Sequence, residues 1–331
     1  MLIIDSSGIE VNLRKEVSWP GPVWLAIMAI LVGCLLLVET ARAAMCPPGL
    51  GLTLQVLGSG GPVADDGRAS SAYLVWDNGK ARILVDAGGG SFLRFAQAQA
   101  RFEDLDLIAI SHFHTDHSTD LPALLKSGYF SSRARSLPIS GPDGDDPFPG
   151  LEAFIASILD PGRGSYAYLA GYLDGSDGLV ELKLVPVTRQ GRTVTVLDQS
   201  GLRVKAQGVP HGIVPTLAYR VEEGGQSIVF ASDQNGGSSR FSDFARGASI
   251  LVAHLAVSES ATGAARKLHA PASVIGQMAS QSEAKILVLS HFMSRSLKDL
   301  DNSLVKIRLQ FSGNIILAED LQCIEAGQSP R

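Results

Sequence analysis

The residues with the clearest chemical potential lie in one short run, Ser111-His-Phe-His-Thr-Asp-His117. This run places four potential metal ligands within six residues, namely His112, His114, Asp116 and His117. Imidazole and carboxylate groups suit zinc, and a catalytic zinc site keeps one coordination position open for water. A strand that ends at such a run can direct several side chains around one point. The run therefore predicts a catalytic metal centre rather than a group of solvated loop histidines.

Three further ligand-type residues each follow an apolar, strand-like segment. They are His211 after Leu202–Pro210, Asp233 after Ile228–Ser232, and His291 after Ile286–Ser290. Active-site residues of α/β folds are commonly placed on the loops that follow strands. Any one of the three would alone be an ordinary polar residue at a strand end. Together with the histidine run, they predict one shared site.

The elements that must position these residues follow an α/β pattern from Gly51 onward. Strand-like segments include Leu52–Leu57, Ser71–Trp76, Ala81–Asp86 and Leu105–Ile110, and helical spacing occurs at Leu151–Leu159, Ala272–Gln281 and Ser296–Leu309. Apart from Leu151–Leu159, residues 128–178 are rich in Gly, Pro, Asp and Tyr and are interpreted as loops. Residues 49–325 are predicted to form one catalytic domain.

Asp86, the histidine run, His211, Asp233 and His291, in this order, resemble the metallo-β-lactamase superfamily. Within it the chain is most similar to the ribonuclease Z branch, the tRNA 3′-processing endonucleases and their relatives. Further segments resemble signatures of that branch: Leu57–Gly60 with Gly67, Arg68, Ser70 and Ser71, then Val85–Gly88, Pro138–Pro142 and Leu289–Phe292. The resemblance implies an αββα sandwich, in which two mixed sheets are flanked by helices and the metals lie at one edge.

The resemblance also implies a ligand set for two metal ions. His112, His114 and His211 would hold one zinc, Asp116, His117 and His291 would hold the other, and Asp233 would bridge them. Asp86 would orient a ligand histidine or the backbone rather than bind metal itself. Because these ligand types overlap among metals, manganese or iron would also fit.

Such a pair of metals would activate a water molecule and polarise the scissile oxygen. Asp116 is therefore a catalytic candidate as well as a ligand. In ribonuclease Z-like enzymes a later histidine, paired with a glutamate, serves the leaving group. His269 falls at that place in Lys267–Pro271, as a general acid or a phosphate contact. The alternative for His269 is a surface histidine before a helix.

Two features depart from a tRNA-processing enzyme. The tRNA-gripping arm should lie between the third and fourth metal motifs, but His211 and Asp233 are only 22 residues apart, with a hairpin-type Gly224-Gly225 between them. The glutamate expected after the fourth motif is replaced by His254, which could donate a proton, contact a phosphate or sulfate oxygen, or be a buried structural histidine. The sequence thus predicts a hydrolase of small phosphodiesters.

Other functions remain open at this level. Arylsulfatase-type hydrolysis of sulfate esters is the first alternative, and β-lactamase- or lactonase-type acyl hydrolysis is the second. A non-catalytic binding or scaffold protein would be expected to lack a ligand, whereas all seven ligand positions are filled. Tyr166, Tyr168 and Tyr172 could wall the pocket, although such tyrosines are more often packing residues.

The first 43 residues resemble a secretory signal or an N-terminal anchor. Arg14 and Lys15 precede the apolar run Val23–Val38, and small residues follow at Ala41 and Ala43. We expect a periplasmic or extracellular protein, anchored to the membrane if the segment is retained. In that compartment Cys46 and Cys323 could form a disulfide or remain thiols.

The composition and charge of the chain limit the kinds of binding partner that can be expected. Apolar residues make up 45% of the 331 residues, which allows a sizeable core, and the formal net charge is −5. Without a basic stripe, a large nucleic-acid partner is not expected. We expect a small-molecule ester as the substrate and membrane contact only through the N-terminal segment. A homodimer is also compatible with the sequence.

Overall fold

The computed structural model describes residue 46 and residues 51–327. The predicted signal or anchor, residues 1–43, lies outside this part of the chain and stays a prediction, as do the domain limits at 49 and 325. Among the described residues, none of the helices combines the length and apolar character that a membrane crossing requires.

Seven strands form the first sheet. In chain order they are β1 (Leu52–Gly58), β2 (Ala72–Asp77), β3 (Lys80–Val85), β4 (Leu107–Ala109), β5 (Leu137–Pro142), β6 (Leu182–Val187) and, from the end of the chain, β14 (Cys323–Glu325). Their spatial order is β14-β1-β2-β3-β4-β5-β6. The pairs from β14 to β3 are antiparallel, and those from β3 to β6 are parallel.

Seven further strands form the second sheet. They are β7 (Val194–Gln199), β8 (Leu202–His211), β9 (Val214–Glu223), β10 (Gln226–Phe230), β11 (Ile250–His254), β12 (Ile286–Ser290) and β13 (Asn314–Leu317). The first four form an antiparallel meander, and β10 to β13 are parallel. Both sheets are therefore mixed.

Helices connect many of these strands. They are α1 (Ser91–Gln97), α2 (Thr115–Ser118), α3 (Leu121–Gly128), α4 (Leu151–Leu159), α5 (Phe241–Phe244), α6 (Gly263–Leu268), α7 (Ala272–Gln281), α8 (Ser294–Leu297) and α9 (Leu300–Arg308), with short 3-10 turns at Phe102–Asp104 and Ala167–Leu173. Helices α1, α3 and α4 pack on the first sheet, and α7 and α9 pack on the second. This arrangement confirms the predicted αββα sandwich.

The alternation of side chains along a strand explains why the first sheet is buried on both faces. In β1, Leu54 and Val56 belong to the core between the sheets, whereas Leu57 packs with the outer helices. In β2, Tyr73 points to the central core and Leu74 to the outer one. The two sheets are therefore held face to face by one continuous apolar core. This core fixes the position of the strand end that carries the histidine run.

Two local predictions were wrong. Residues 128–178 do not consist of loops around a single helix, because Leu137–Pro142 forms β5, which is paired with a neighbouring strand on both sides. Its two prolines and its glycine masked the strand pattern. The predicted helix Ser296–Leu309 is two helices separated near Asp299, whose side chain accepts hydrogen bonds from Glu259 N and Asn302 Nδ2.

Candidate metal centre

The carboxyl ends of strands from both sheets meet at one edge of the sandwich. Asp86 follows β3 and the histidine run follows β4 in the first sheet, while His211 ends β8 and His291 follows β12 in the second. Asp233 lies three residues beyond the end of β10. Because these strands run in the same direction, their ends bring distant parts of the sequence together.

Three residues at these strand ends adopt left-handed backbone conformations. The φ angles are 59° at Asp86, 55° at Ser232 and 58° at His291. Residues other than glycine adopt this region at a cost of roughly 1–2 kcal/mol each. The bend lets each strand stop abruptly, so that Asp86, Asp233 and His291 project into the site instead of continuing the sheet.

Close backbone packing positions the histidine run. An added Cβ at Gly88 would lie 2.1 Å from the carbonyl oxygen of Asp116, which only glycine permits. Ala87 N also donates a hydrogen bond to the carbonyl oxygen of His117. The segment after β3 and the short helix α2 are therefore fitted against each other at the backbone level.

Asp233 is at the centre of the cluster. Its carboxylate oxygens lie within 4 Å of ring nitrogens on six histidines: His112, His117, His211, His254, His269 and His291. Oδ2 faces His112 and His211, at 3.9 and 3.5 Å from Nε2 of each. Oδ1 faces His291, 3.4 Å from its Nε2. The two oxygens of this carboxylate thus face different histidines, which fall into the two groups described next.

The first group has the geometry of a metal-binding set. One ligand atom each from His112, His114, His211 and Asp233 can be chosen so that all lie within 4.8 Å of one another. Nε2 of His112 and Nδ1 of His114 are 3.0 Å apart. This group contains the residues that the resemblance assigns to the first metal.

The second group contains one difference from the predicted set. His117, Asp233, His254 and His291 offer ligand atoms within 4.8 Å of one another, so that His254 takes the place expected for Asp116. Asp116 nevertheless lies close, with Oδ2 3.1 Å from His291 Nε2 and 3.5 Å from His117 Nε2. Both Asp116 and His254 therefore border the second position.

Hydrogen bonds fix which nitrogen of two rings faces the site. Asp86 Oδ2 lies 2.8 Å from His117 Nδ1, and the Asp86 carboxylate also accepts hydrogen bonds from the amide and hydroxyl of Ser111. The carbonyl oxygen of Leu268 lies 2.8 Å from His211 Nδ1. Each contact leaves Nε2 of the histidine directed at Asp233. Asp86 thus lies where the sequence predicted an orienting residue.

The remaining nitrogens fit a metal. Among the described residues, His117 Nε2, His211 Nε2, His269 Nδ1 and His291 Nδ1 are buried without a hydrogen-bond partner. Leaving buried polar atoms unpaired costs roughly 1–3 kcal/mol each. Two of them, His117 Nε2 and His211 Nε2, face the Asp233 carboxylate, one from each group. A cation bound in each group would satisfy these nitrogens together with the carboxylate.

The buried charged groups of the cluster shift one another's pKa values. Burial lowers the pKa of His117, but the nearby carboxylates of Asp86 and Asp116 outweigh it and raise this pKa to about 10. Burial raises the pKa of Asp233, yet His291 and His269 hold it well below its usual range. Burial dominates at His269 and lowers its pKa to about 3. These pKa shifts favour the carboxylate form of Asp233 and the neutral form of the His269 ring.

His269 and His254, the two remaining catalytic candidates, lie on different sides of Asp233. His269 follows α6 and borders a cleft of about 510 Å³, with Nδ1 3.8 Å from Asp233 Oδ2. The described residues that line this cleft include Asp116, His211 and His291 but not His254. His254 lies behind the carboxylate, with Nδ1 2.7 Å from Asp233 Oδ1 and Nε2 3.1 Å from the Tyr73 hydroxyl.

Sequence reasoning missed two residues of this region. Arg295 lines the cleft and is held by a hydrogen bond from Nε to the carbonyl oxygen of Ala256. Its position four residues after His291 was the available signal. Tyr73 is a single tyrosine in an apolar strand, and a buried tyrosine hydroxyl usually requires a partner. Conversely, none of Tyr166, Tyr168 and Tyr172 is among the described residues that line the cleft.

The fold and the histidine–aspartate cluster define a metal-binding enzyme of the αββα class. The family described as "Beta-lactamase superfamily domain" matches residues 81–292. That range includes the histidine run and His291, together with Asp233. The chain belongs to the beta-lactamase superfamily.

Relatives with ribonuclease Z names extend this finding. The Mycolicibacterium paratuberculosis ribonuclease Z is 30% identical over 189 residues, covering 55% of this chain and 62% of that protein. The Methanosarcina mazei ribonuclease Z is 26% identical over 310 residues, covering 84% and 99%. The crystal structure of the short form of human tRNase Z has a TM-score of 0.64 and 22% identity, covering 83% of this chain and 100% of that one.

These findings confirm the predicted superfamily and its ribonuclease Z branch, and with them a metal-dependent hydrolase. The cluster around Asp233 can hold metal. The roles assigned to individual ligands, and the identity of the metal, stay predictions.

Proposed function

We propose that this protein is an exported, dinuclear metal-dependent hydrolase of small phosphodiesters. The observation that carries the proposal is the carboxylate of Asp233, which faces both groups of ligand nitrogens. When bound, two metal ions, zinc in the simplest case, would activate water and balance charge on the phosphate oxygens. The sequence relatives named ribonuclease Z support the phosphodiester as the bond attacked.

The chain's own residues would divide the work around the cleft. His112, His114 and His211 would hold one ion, and Asp116, His117 and His291 the other, with Asp233 shared. The Arg295 guanidinium, anchored at Ala256, would attract an anionic ester. His269 is neutral and faces the same cleft, which favours the hydrogen-bond contact to a phosphate oxygen over the general-acid alternative.

The short connection between His211 and Asp233 supports a small substrate. All residues between these two are described, and they consist of β9 and β10 joined by tight turns. Gly224 and Gly225 both have positive φ, 55° and 78°, as a two-residue hairpin turn requires. This meander contains no inserted arm that could grip a tRNA. We therefore propose a small ester, not a large nucleic acid, as the partner.

A disulfide supports the proposed export. Cys46 and Cys323 are joined, with Cα atoms 5.6 Å apart, and structural disulfides persist mainly in oxidising compartments. Cell fractionation of a producing bacterium tests this. We expect the protein in the periplasm, the medium or a washed membrane fraction facing the periplasm. Recovery in the cytoplasm with free thiols would contradict export.

The hydrolase proposal is tested by metal analysis of the purified protein together with turnover of bis(p-nitrophenyl) phosphate and p-nitrophenyl sulfate. We expect about two metals per chain, loss of phosphodiesterase activity on chelation, and recovery on adding zinc, manganese or iron. Preferential sulfate cleavage would instead favour the arylsulfatase-type alternative. Two bound metals with neither activity would exclude both of these ester classes.

The bridging role of Asp233 is tested by Asp233→Asn, which keeps the size of the side chain but removes its charge. We expect loss of at least one metal equivalent and of turnover by a factor of at least about 100, because both ions would lose a ligand. A variant that retained two metals and full activity would refute the assignment. Asp198→Asn, at an exposed position on β7, serves as the matched control.

A further inference from the structure

A buried chain of polar side chains extends from Asp233 toward the core between the sheets. Nδ1 of His254 lies 2.7 Å from Asp233 Oδ1, and Nε2 of the same ring lies 3.1 Å from the Tyr73 hydroxyl. The hydroxyl is 2.8 Å from Ser290 Oγ. His254, Tyr73, Ser290 and Asp233 are all at most 6% exposed. These hydrogen-bonded side chains join β2 of the first sheet to β11 and β12 of the second.

The donors and acceptors of this chain determine the tautomer of His254. A carboxylate only accepts hydrogen bonds, so Nδ1 of His254 carries the proton that is donated to Asp233. Nε2 of the neutral ring is then an acceptor, and the Tyr73 hydroxyl can donate to it. The Tyr73 hydroxyl has one hydrogen, which can be directed either at His254 Nε2 or at Ser290 Oγ. Nδ1 of His254 and Oδ1 of Asp233 thereby satisfy each other, as buried polar groups require.

We propose that His254 and Tyr73 are positioning residues that hold the Asp233 carboxylate in the orientation that serves both metals. The inference rests on the proposed dinuclear function. Asp233 Oδ1 is held by His254 from behind, while Oδ2 remains directed at His112 and His211. His254 differs in this from the ligand candidate His112, whose Nε2 faces a second ligand candidate, His114. Nε2 of His254 instead faces the Tyr73 hydroxyl, on the side of the ring away from Asp233. His254 is distinguished from a proton donor, because the described lining of the cleft excludes it.

A different arrangement holds for Asp116. Its carboxylate borders the cleft and lies 3.1 Å from His291 Nε2. It can therefore complete the second group without displacing the hydrogen bond between His254 and Asp233. Proximity alone places His254 among the possible ligands of that group, whereas the hydrogen-bond pattern assigns the ligand role to Asp116.

The experiment measures zinc affinity and stoichiometry by competition with a chromophoric chelator for the parent protein, Tyr73→Phe, His254→Asn and His254→Leu. Tyr73→Phe removes only the hydroxyl. We expect two metal equivalents but about 10-fold weaker binding of the more weakly bound one, since loss of an orienting partner costs roughly 10–100-fold in affinity. Turnover of Tyr73→Phe should return to the parental value at saturating zinc, which a purely structural defect would not do.

The two substitutions of His254 separate positioning from ligation. The asparagine amide can still donate to Asp233, so His254→Asn should keep two metals and resemble Tyr73→Phe. His254→Leu lacks any donor and should bind the weaker metal about 100-fold less tightly. Loss of a whole metal equivalent in both variants, with Tyr73→Phe unchanged, would identify His254 as a ligand and overturn the proposal.

Tyr172→Phe is the matched control for Tyr73→Phe. It also removes a buried tyrosine hydroxyl, which donates to the carbonyl oxygen of Leu125 on α3. Its zinc affinity should equal that of the parent. Parental affinity in Tyr73→Phe as well would refute the positioning role while leaving the dinuclear function intact. A parent protein that binds no metal would instead contradict the proposed function itself.

Discussion

The Asp86 carboxylate lies 2.8 Å from Nδ1 of His117 and thereby turns Nε2 of that ring toward Asp233. The same carboxylate accepts two hydrogen bonds from Ser111, the first residue of the histidine run. One side chain at the end of β3 therefore fixes both the backbone at the start of the run and the ring at its end.

Replacing Asp86 should weaken metal binding without removing a ligand. We expect Asp86→Ala to lower affinity for one metal by about 10–100-fold, because the His117 ring loses the partner that fixes its tautomer and orientation. Asp86→Asn retains one acceptor oxygen and should have a smaller effect. Zinc titration of the two variants checks this order. Equal affinities in Asp86→Ala and the parent would show that the His117 ring is held by other contacts.

Gly88 offers a test of the backbone fit next to the site. A Cβ at this position would lie 2.1 Å from the Asp116 carbonyl oxygen, so Gly88→Ala must displace the segment that carries Asp116 and His117. We expect a loss of about 1–3 kcal/mol in the free energy of unfolding, together with weaker metal binding. Chemical denaturation measures the first quantity and zinc titration the second.

The neighbouring glycine provides the control. At Gly89 an added Cβ would meet only Ser70 Oγ, at an ordinary distance of 3.9 Å. Gly89→Ala should therefore change the free energy of unfolding by no more than about 0.5 kcal/mol. Similar losses in both variants would mean that the close approach to Asp116 is not what makes Gly88 necessary.

His269 should contribute a hydrogen bond to the substrate rather than a proton to the leaving group. Its pKa is lowered to about 3, chiefly by burial, so the ring is neutral at the pH of the assay. We expect His269→Ala to reduce kcat/KM by about 10–100-fold, the worth of a hydrogen bond to a charged group. The reduction should be similar for bis(p-nitrophenyl) phosphate and for a cyclic nucleotide, whose leaving group is an alkoxide. A loss confined to the cyclic nucleotide would restore the general-acid role.

The disulfide between Cys46 and Cys323 should stabilise the domain. It joins residues that are 277 positions apart in the sequence and ties residue 46 to β14, the edge strand beside β1. Reduction, or Cys323→Ser, should lower the free energy of unfolding by about 2–5 kcal/mol. Thermal unfolding with and without reductant checks this. The variant should melt at the same temperature in both conditions, whereas the oxidised parent should not.

The strand ends that carry polar residues could be predicted because an apolar segment followed by a polar residue is a pattern within a few neighbouring residues. The apolar segment before His211 and the one before His291 could each be recognised in the sequence, and the structure brings these residues together. The strand Leu137–Pro142 was missed because proline and glycine are unfavourable in strands unless tertiary contacts compensate. Here β4 and β6 supply those contacts on both sides.

The relationship of His254 to Tyr73 could not be predicted for a different reason. The two residues are 181 positions apart, and the packing of one sheet on the other brings them together. No spacing rule within a strand or helix reports such a contact. The same holds for the partners of Asp233, since the order of strands in each sheet decides which strand ends are neighbours.

The left-handed conformations of Asp86, Ser232 and His291 imply that the requirements of the site and those of stability conflict at these three positions. Each position would be occupied more favourably by glycine, and a chain selected only for stability would be expected to accept it. Glycine at Asp86 and His291 would remove the carboxylate that contacts His117 and the imidazole that faces Asp116 and Asp233. The side chains at these positions therefore lower the free energy of unfolding while supplying groups to the site. Stabilising mutations for engineering should accordingly be sought away from these three strand ends.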